Sequence, residues 1–129
     1  MAFQKNMRVL IVDDTSTSRM LIRDALEQLG LTQISSANDG EEALKAMVSS
    51  PSHLVISDLN MPKLDGLGLL KAIRSHPPTK KTPFIILTGK SDRAVIEQAA
   101  QLGVNNYITK PFTLASLKSG IEAVVGKLQ

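Results

Sequence analysis

Short apolar runs alternate with helix-like stretches along the whole of this chain, and that alternation narrows the possible folds more than any other feature. The runs at Arg8–Val12, Gln33–Ala37, Leu54–Ser57, 84–87 and 106–108 are brief and largely apolar. They carry frequent β-branched residues, as strands buried on both faces do. Helical periodicity fills the intervals. Residues 18–29 place Met20, Leu21, Ala25, Leu26 and Leu29 at spacings of three and four, and Gly30 supplies a left-handed stop. Residues 41–48 follow the turn Asn38-Asp39-Gly40, and residues 67–73 follow Asp65-Gly66. Residues 93–102 end at Gly103, and a last helix spans Leu114–Val125. The prolines and charges of residues 75–83 predict a surface loop. Five βα units predict a doubly wound α/β fold, a three-layer sandwich with right-handed crossovers.

A chain of 129 residues suffices for one domain with a real core. The absence of cysteine excludes a disulfide framework and a thiolate metal site, and fits a reducing, cytoplasmic compartment. No secretory leader is expected from Met1-Ala-Phe-Gln-Lys-Asn, and no run approaches the roughly 18 apolar residues of a membrane span. A net charge of +3, with basic residues scattered apart from Lys80-Lys81, argues against nucleic acid as a partner. So does the absence of Trp and the single Tyr, which leave no platform for stacking bases. The methionines read as fillers of core gaps, and His53 and His76 as surface residues without a ligand pattern. Gly66-Leu67-Gly68 lacks the lysine and spacing of a phosphate-binding loop.

Chemistry-bearing residues recur just past the strand candidates. Asp13 and Asp14 follow the first, Asp58 the third and Lys110 the fifth, while Thr88, then Gly89, closes the fourth. Each alone has a plainer reading: a helix-capping carboxylate, a loop residue, a surface lysine, a strand end. In an open α/β sheet, however, ligands bind outside the carboxyl ends of the strands, where strand order reverses. Three carboxylates and an ammonium converging there would hold a divalent cation beside an anionic group, an arrangement suited to phosphoryl transfer.

The motifs Val12-Asp13-Asp14, Ser57-Asp58-Leu59-Asn60-Met61-Pro62, Leu64-Asp65-Gly66, Leu87-Thr88-Gly89 and Tyr107-Ile108-Thr109-Lys110-Pro111-Phe112 carry a resemblance. Together, at their spacing, they resemble the response-regulator receiver family, and within it the CheY-like single-domain chemotaxis regulators. The resemblance covers essentially the whole chain. It implies a flavodoxin-like (βα)5 fold with strand order 2-1-3-4-5, and one receiver domain over residues 1–129 with no output domain.

It also implies roles. Asp58 would accept a phosphoryl group from a CheA-like sensor histidine kinase. Asp14 and Asp58 would ligate Mg²⁺ through their side chains, Asn60 through its backbone carbonyl and Asp13 through water. Lys110 would pair with one phosphoryl oxygen and Thr88 would bond another, after which Tyr107 would turn inward. The Lys110–Pro111 bond would be cis. The expected product is a monomeric signalling switch rather than an enzyme, whose output passes through a protein partner such as the flagellar motor switch protein. A phosphate sink or phosphorelay shuttle without motor binding is the alternative. A Mg²⁺-dependent aspartyl-phosphate phosphatase is a remote one, since Asn60 stands where such enzymes need a second Asp. The chain departs from the best-known member at Lys90, which replaces an acidic residue, and in the charges of Ser91-Asp92-Arg93. Those positions bear on partner identity and phosphoryl lifetime.

Overall fold

Alternate residues of the central strands enter two separate cores. In the computed structural model, which describes residues 6–89 and 93–126, five strands form one sheet in the order β2-β1-β3-β4-β5. They are β1 (Arg8–Val12), β2 (Gln33–Ala37), β3 (Leu54–Ser57), β4 (Phe84–Thr88) and β5 (Asn106–Thr109). All four pairings are parallel, and Val12 at the end of β1 lies opposite Ser57 at the end of β3. Val9 and Ile11, Leu54 and Ile56, and Ile85 and Leu87 point to one face. Leu10 and Val12, Val55, and Phe84 and Ile86 point to the other. The period-2 pleat sorts them, and burial on both faces explains why these strands read as continuous apolar runs.

Helices cover both faces. They are α1 (Ser16–Gln28), α2 (Gly40–Ser49), α3 (Gly66–Ser75), α4 (Arg93–Gln101) and α5 (Leu114–Val125). Helices α1 and α5 pack on the first face through Ile22, Ala25, Leu26, Leu117 and Ile121. Helices α2, α3 and α4 pack on the second through Ala43, Met47, Leu69, Ile73 and Ala99. Asp39 and Asp65 begin α2 and α3 by accepting bonds from Glu42 N and Gly68 N, 2.8 Å in each case. Gly66 is required by a close approach: a Cβ there would strike the backbone oxygen of Asp58, so α3 starts directly against the end of β3.

Three expectations change. Met20 and Leu21 are not core residues but are 63% and 59% exposed. The buried stripe of α1 is Ile22, Ala25 and Leu26, continued by the half-buried cap residue Leu29, which keeps helical spacing one step further round the cylinder. Met20 therefore fills no core gap, whereas Met47 does. The segment at residues 75–83 contains a 3₁₀ turn, Pro77–Thr79, and is not all surface. Thr79 is buried, and its hydroxyl donates at 2.8 Å to Ile73 O, the same carbonyl that accepts from His76 N at the end of α3. His53 is exposed, with Nδ1 accepting from Arg8 N at 2.9 Å, and His76 is half-buried rather than a free surface residue.

Candidate functional site

The chain turns back across β1 between β2 and β3, so strand order reverses at the junction of β1 and β3. That junction is where a crevice opens in a doubly wound sheet. Asp13 and Asp14 leave the end of β1 and Asp58 leaves the end of β3. Backbone bonds fix both departures: Asp13 N donates to Ala37 O at 3.2 Å, and Asp58 N to Val12 O at 2.8 Å. One carboxylate oxygen from each of Asp13, Asp14 and Asp58 lies within 4.8 Å of the others. Asp13 is buried, Asp58 half-buried and Asp14 exposed, so the cluster is a floor, a wall and an open rim.

Lys110 enters from β5, held by its N–H donating to Thr88 O at 2.7 Å. Its Nζ lies 3.2 Å from Asp13 Oδ2 and 3.9 Å from Asp58 Oδ1. The Lys110–Pro111 peptide is cis. Burial pushes the Asp58 carboxyl above the usual carboxylate range; Lys110 and the bond from Leu59 N, at 2.8 Å, pull it back, and Asp13 and Asp14 push it further up. Asp58 is therefore a carboxylate in a crowd of like charge with one nearby ammonium. Oxygen donors at this spacing suit a hard divalent cation, which would relieve that repulsion.

The other predicted residues lie on β4, on β5 and past the end of β3. Asn60 is exposed two residues past Asp58. Thr88 is buried at the end of β4. Tyr107 lies on β5, 42% exposed. A small pocket of about 10 Å³ lies where β4, β5 and α4 meet, lined by Thr88, Tyr107, Ile86, Leu59 and Val95 among others. Lys90, Ser91 and Asp92 lie outside the described residues. Arg93, the first residue of α4, is exposed and pairs with Glu97 at 3.6 Å.

Two residues near the cluster carry no mark in the sequence. The Ser18 hydroxyl donates to Asp13 Oδ2 at 2.6 Å and accepts from Lys110 Nζ at 3.2 Å. Arg19 Nη1 donates to Asp13 O at 2.7 Å. The signal that could have found them is position alone, since the first turns of a helix after a strand face back to that strand's end.

The model for the response regulator receiver domain family matches residues 9–122. A probable chemotaxis protein CheY of Rhizobium etli is 57% identical over 129 residues, covering 100% of both chains. The solved structure of chemotaxis protein CheY4 of Vibrio cholerae superposes with a TM-score of 0.86 at 29% identity, covering 92% of this chain and 98% of that one. The receiver domain of a Pseudomonas aeruginosa sensor histidine kinase, with a magnesium ion coordinated in its active-site cleft, superposes with a TM-score of 0.85. It is 26% identical, and the alignment covers 95% of this chain and 99% of that one.

Proposed function

The chain belongs to the response regulator receiver family, and on that premise we propose that Asp58 accepts a phosphoryl group from a sensor histidine kinase and that the chain signals as a phosphorylation-dependent switch. The observation that carries the reading is the convergence of Asp13, Asp14, Asp58 and Lys110 at the β1–β3 switch point. One Asp58 oxygen attacks phosphorus as the P–N bond to the donor imidazole breaks. The electron pair returns to that nitrogen, and the product is an acyl phosphate on Asp58. The protein's part is positioning and electrostatics.

Asp14 and Asp58 would hold Mg²⁺ through side chains, Asn60 through its carbonyl and Asp13 through water; the carboxylate oxygens of Asp13, Asp14 and Asp58, within 4.8 Å of one another, support the three acids of that set. Mg²⁺ held there would supply positive charge that offsets the carboxylates and an incoming phosphoryl group. Lys110 moves the short distance from Asp13 to a second phosphoryl oxygen, as a compact charge on a flexible stem can. Thr88 follows the phosphoryl group, and Tyr107 turns toward the pocket beside α4. No separate enzymatic activity is part of the reading; transfer to Asp58 and later hydrolysis occur within the switch itself.

The partners are a CheA-like kinase upstream and a flagellar motor switch protein downstream, in the cytoplasm, in the control of chemotaxis. The names of the relatives support chemotaxis over other outputs. Incubation with a phosphorylated kinase and Mg²⁺ tests the acceptor. Wild type should label and Asp58→Asn should not; substantial stable label on the variant would overturn the assignment. Binding to the motor switch protein that rises on phosphorylation supports the motor output, and its absence would favour a phosphate sink.

A further inference from the structure

We propose that Ser18 is a positioning residue that latches Lys110 onto Asp13 in the unphosphorylated state and so opposes phosphorylation. The inference rests on the reading of Asp58 as acceptor and Lys110 as the partner of a phosphoryl oxygen. Ser18 lies on the first turn of α1, within reach of both charged groups. A hydroxyl has one proton to give and two lone pairs to receive. Here the proton goes to Asp13 Oδ2 at 2.6 Å, and a lone pair receives Lys110 Nζ at 3.2 Å. Lys110 donates to the same Asp13 oxygen at 3.2 Å, which closes a triangle of ammonium, hydroxyl and carboxylate. The other Asp13 oxygen takes the Thr15 N–H at 2.9 Å, so both oxygens of this buried carboxylate are engaged.

Lys110 thus rests on the Asp13 side of the crevice. It is 3.2 Å from Asp13 but 3.9 Å from Asp58. Its flexible stem lets the ammonium cross to a phosphoryl group on Asp58. Ser18, with one short torsion and a helix backbone behind it, stays where it is. The bond between them exists in the resting arrangement and is lost in the phosphorylated one. An interaction present in only one of two states biases the equilibrium toward that state by its own strength. Hydrogen bonds to charged groups are the stronger kind. An aliphatic side chain at this position would offer Lys110 no acceptor and would set it free.

The test uses the full chain with Mg²⁺ and beryllofluoride, a phosphoryl mimic, titrated by ¹⁹F NMR. Ser18→Ala should bind the mimic roughly three- to tenfold more tightly than wild type, the factor expected from losing one hydrogen bond of ordinary net strength, since partial solvation offsets the gain from charge. Ser18→Thr keeps the hydroxyl and should stay within about twofold of wild type, well inside that factor. In the apo protein without metal, the ¹⁵Nζ resonance of Lys110 should shift in Ser18→Ala and hold in Ser18→Thr. Alanine is the better helix former, so the fold should persist. Equal or weaker binding by Ser18→Ala, beside a wild type that binds, would overturn the latch and leave Asp58 as acceptor. Tighter binding by both variants would also overturn it, because the effect would then be one of shape. A wild type that fails to bind the mimic would overturn the acceptor reading and the latch together.

Discussion

Asp58 is half-buried beside two other carboxylates, and its own folding suffers for it. Burial, Asp13 and Asp14 raise its pKa, and Lys110 with the Leu59 N–H only partly offset them. A carboxyl whose pKa is higher folded than unfolded weakens the fold at every pH above the folded value. The penalty fades as pH falls toward the unfolded value. Asp58→Asn should therefore raise the thermal midpoint in metal-free buffer at pH 7, by on the order of a few degrees, with the gain shrinking as the solution is acidified toward pH 4. Melting curves at several pH values check both the sign and the trend. Asp14→Ala should weaken Mg²⁺ binding by tenfold or more and slow phosphorylation sharply, since the proposed set loses a direct ligand; unchanged affinity in a Mg²⁺ titration would count against the ligand set. The acids and Lys110 were legible in the sequence because each ends a recognisable strand. Ser18 was not. A triangle of residues 13, 18 and 110 leaves no local pattern, and a serine on a helix is most often a solvated one.

Single elements follow from local physics to differing degrees. The limits of β1, β3 and α5 match the expected ones, because apolar runs and capping signals bound them sharply; those of β2 match as well, although this edge strand, Gln33–Ala37, is mostly polar and exposed rather than buried on both faces. The expected α1 begins at residue 18, whereas the helix begins at Ser16. Its apolar face was misplaced because Met20, Leu21 and Ile22 are consecutive, and three adjacent apolar residues fit more than one stripe. The distinction is measurable. Ile22→Ala should cost about 2–4 kcal/mol in urea unfolding, as truncation of a fully buried side chain does. Leu21→Ala, at an exposed position, should fall within about 0.5 kcal/mol of wild type. The 3₁₀ turn at Pro77–Thr79 escaped because prolines and charges announce a loop, while the buried Thr79 hydroxyl that ties it to α3 announces nothing.

At the scale of the whole molecule, periodicity predicts five βα units but not the order in which their strands pair. Order 2-1-3-4-5 came from the resemblance, and it is this order that brings β1 and β3 together with their acids. The same order places Thr88 and Tyr107 on neighbouring strands that line one pocket with α4; in the proposed switch a phosphoryl group bonded by Thr88 opens room there for the ring of Tyr107. Phosphorylation shifts the conformation only if it binds the two states unequally, and in the proposed switch Thr88 supplies that difference. The chain has one Tyr and no Trp, so its intrinsic emission reports Tyr107 alone. Beryllofluoride with Mg²⁺ should protect that emission from a soluble quencher in wild type. Thr88→Ala should bind the mimic yet lose most of the protection, and equal protection in both would place the sensor elsewhere. Beneath all of this lies the identity of the acceptor. Phosphorylate the intact chain from its kinase, reduce the acyl phosphate with borohydride, and map the product by peptide mass spectrometry. Homoserine at position 58 alone is the predicted result; homoserine at position 13 or 14, or at none of the three, would contradict it.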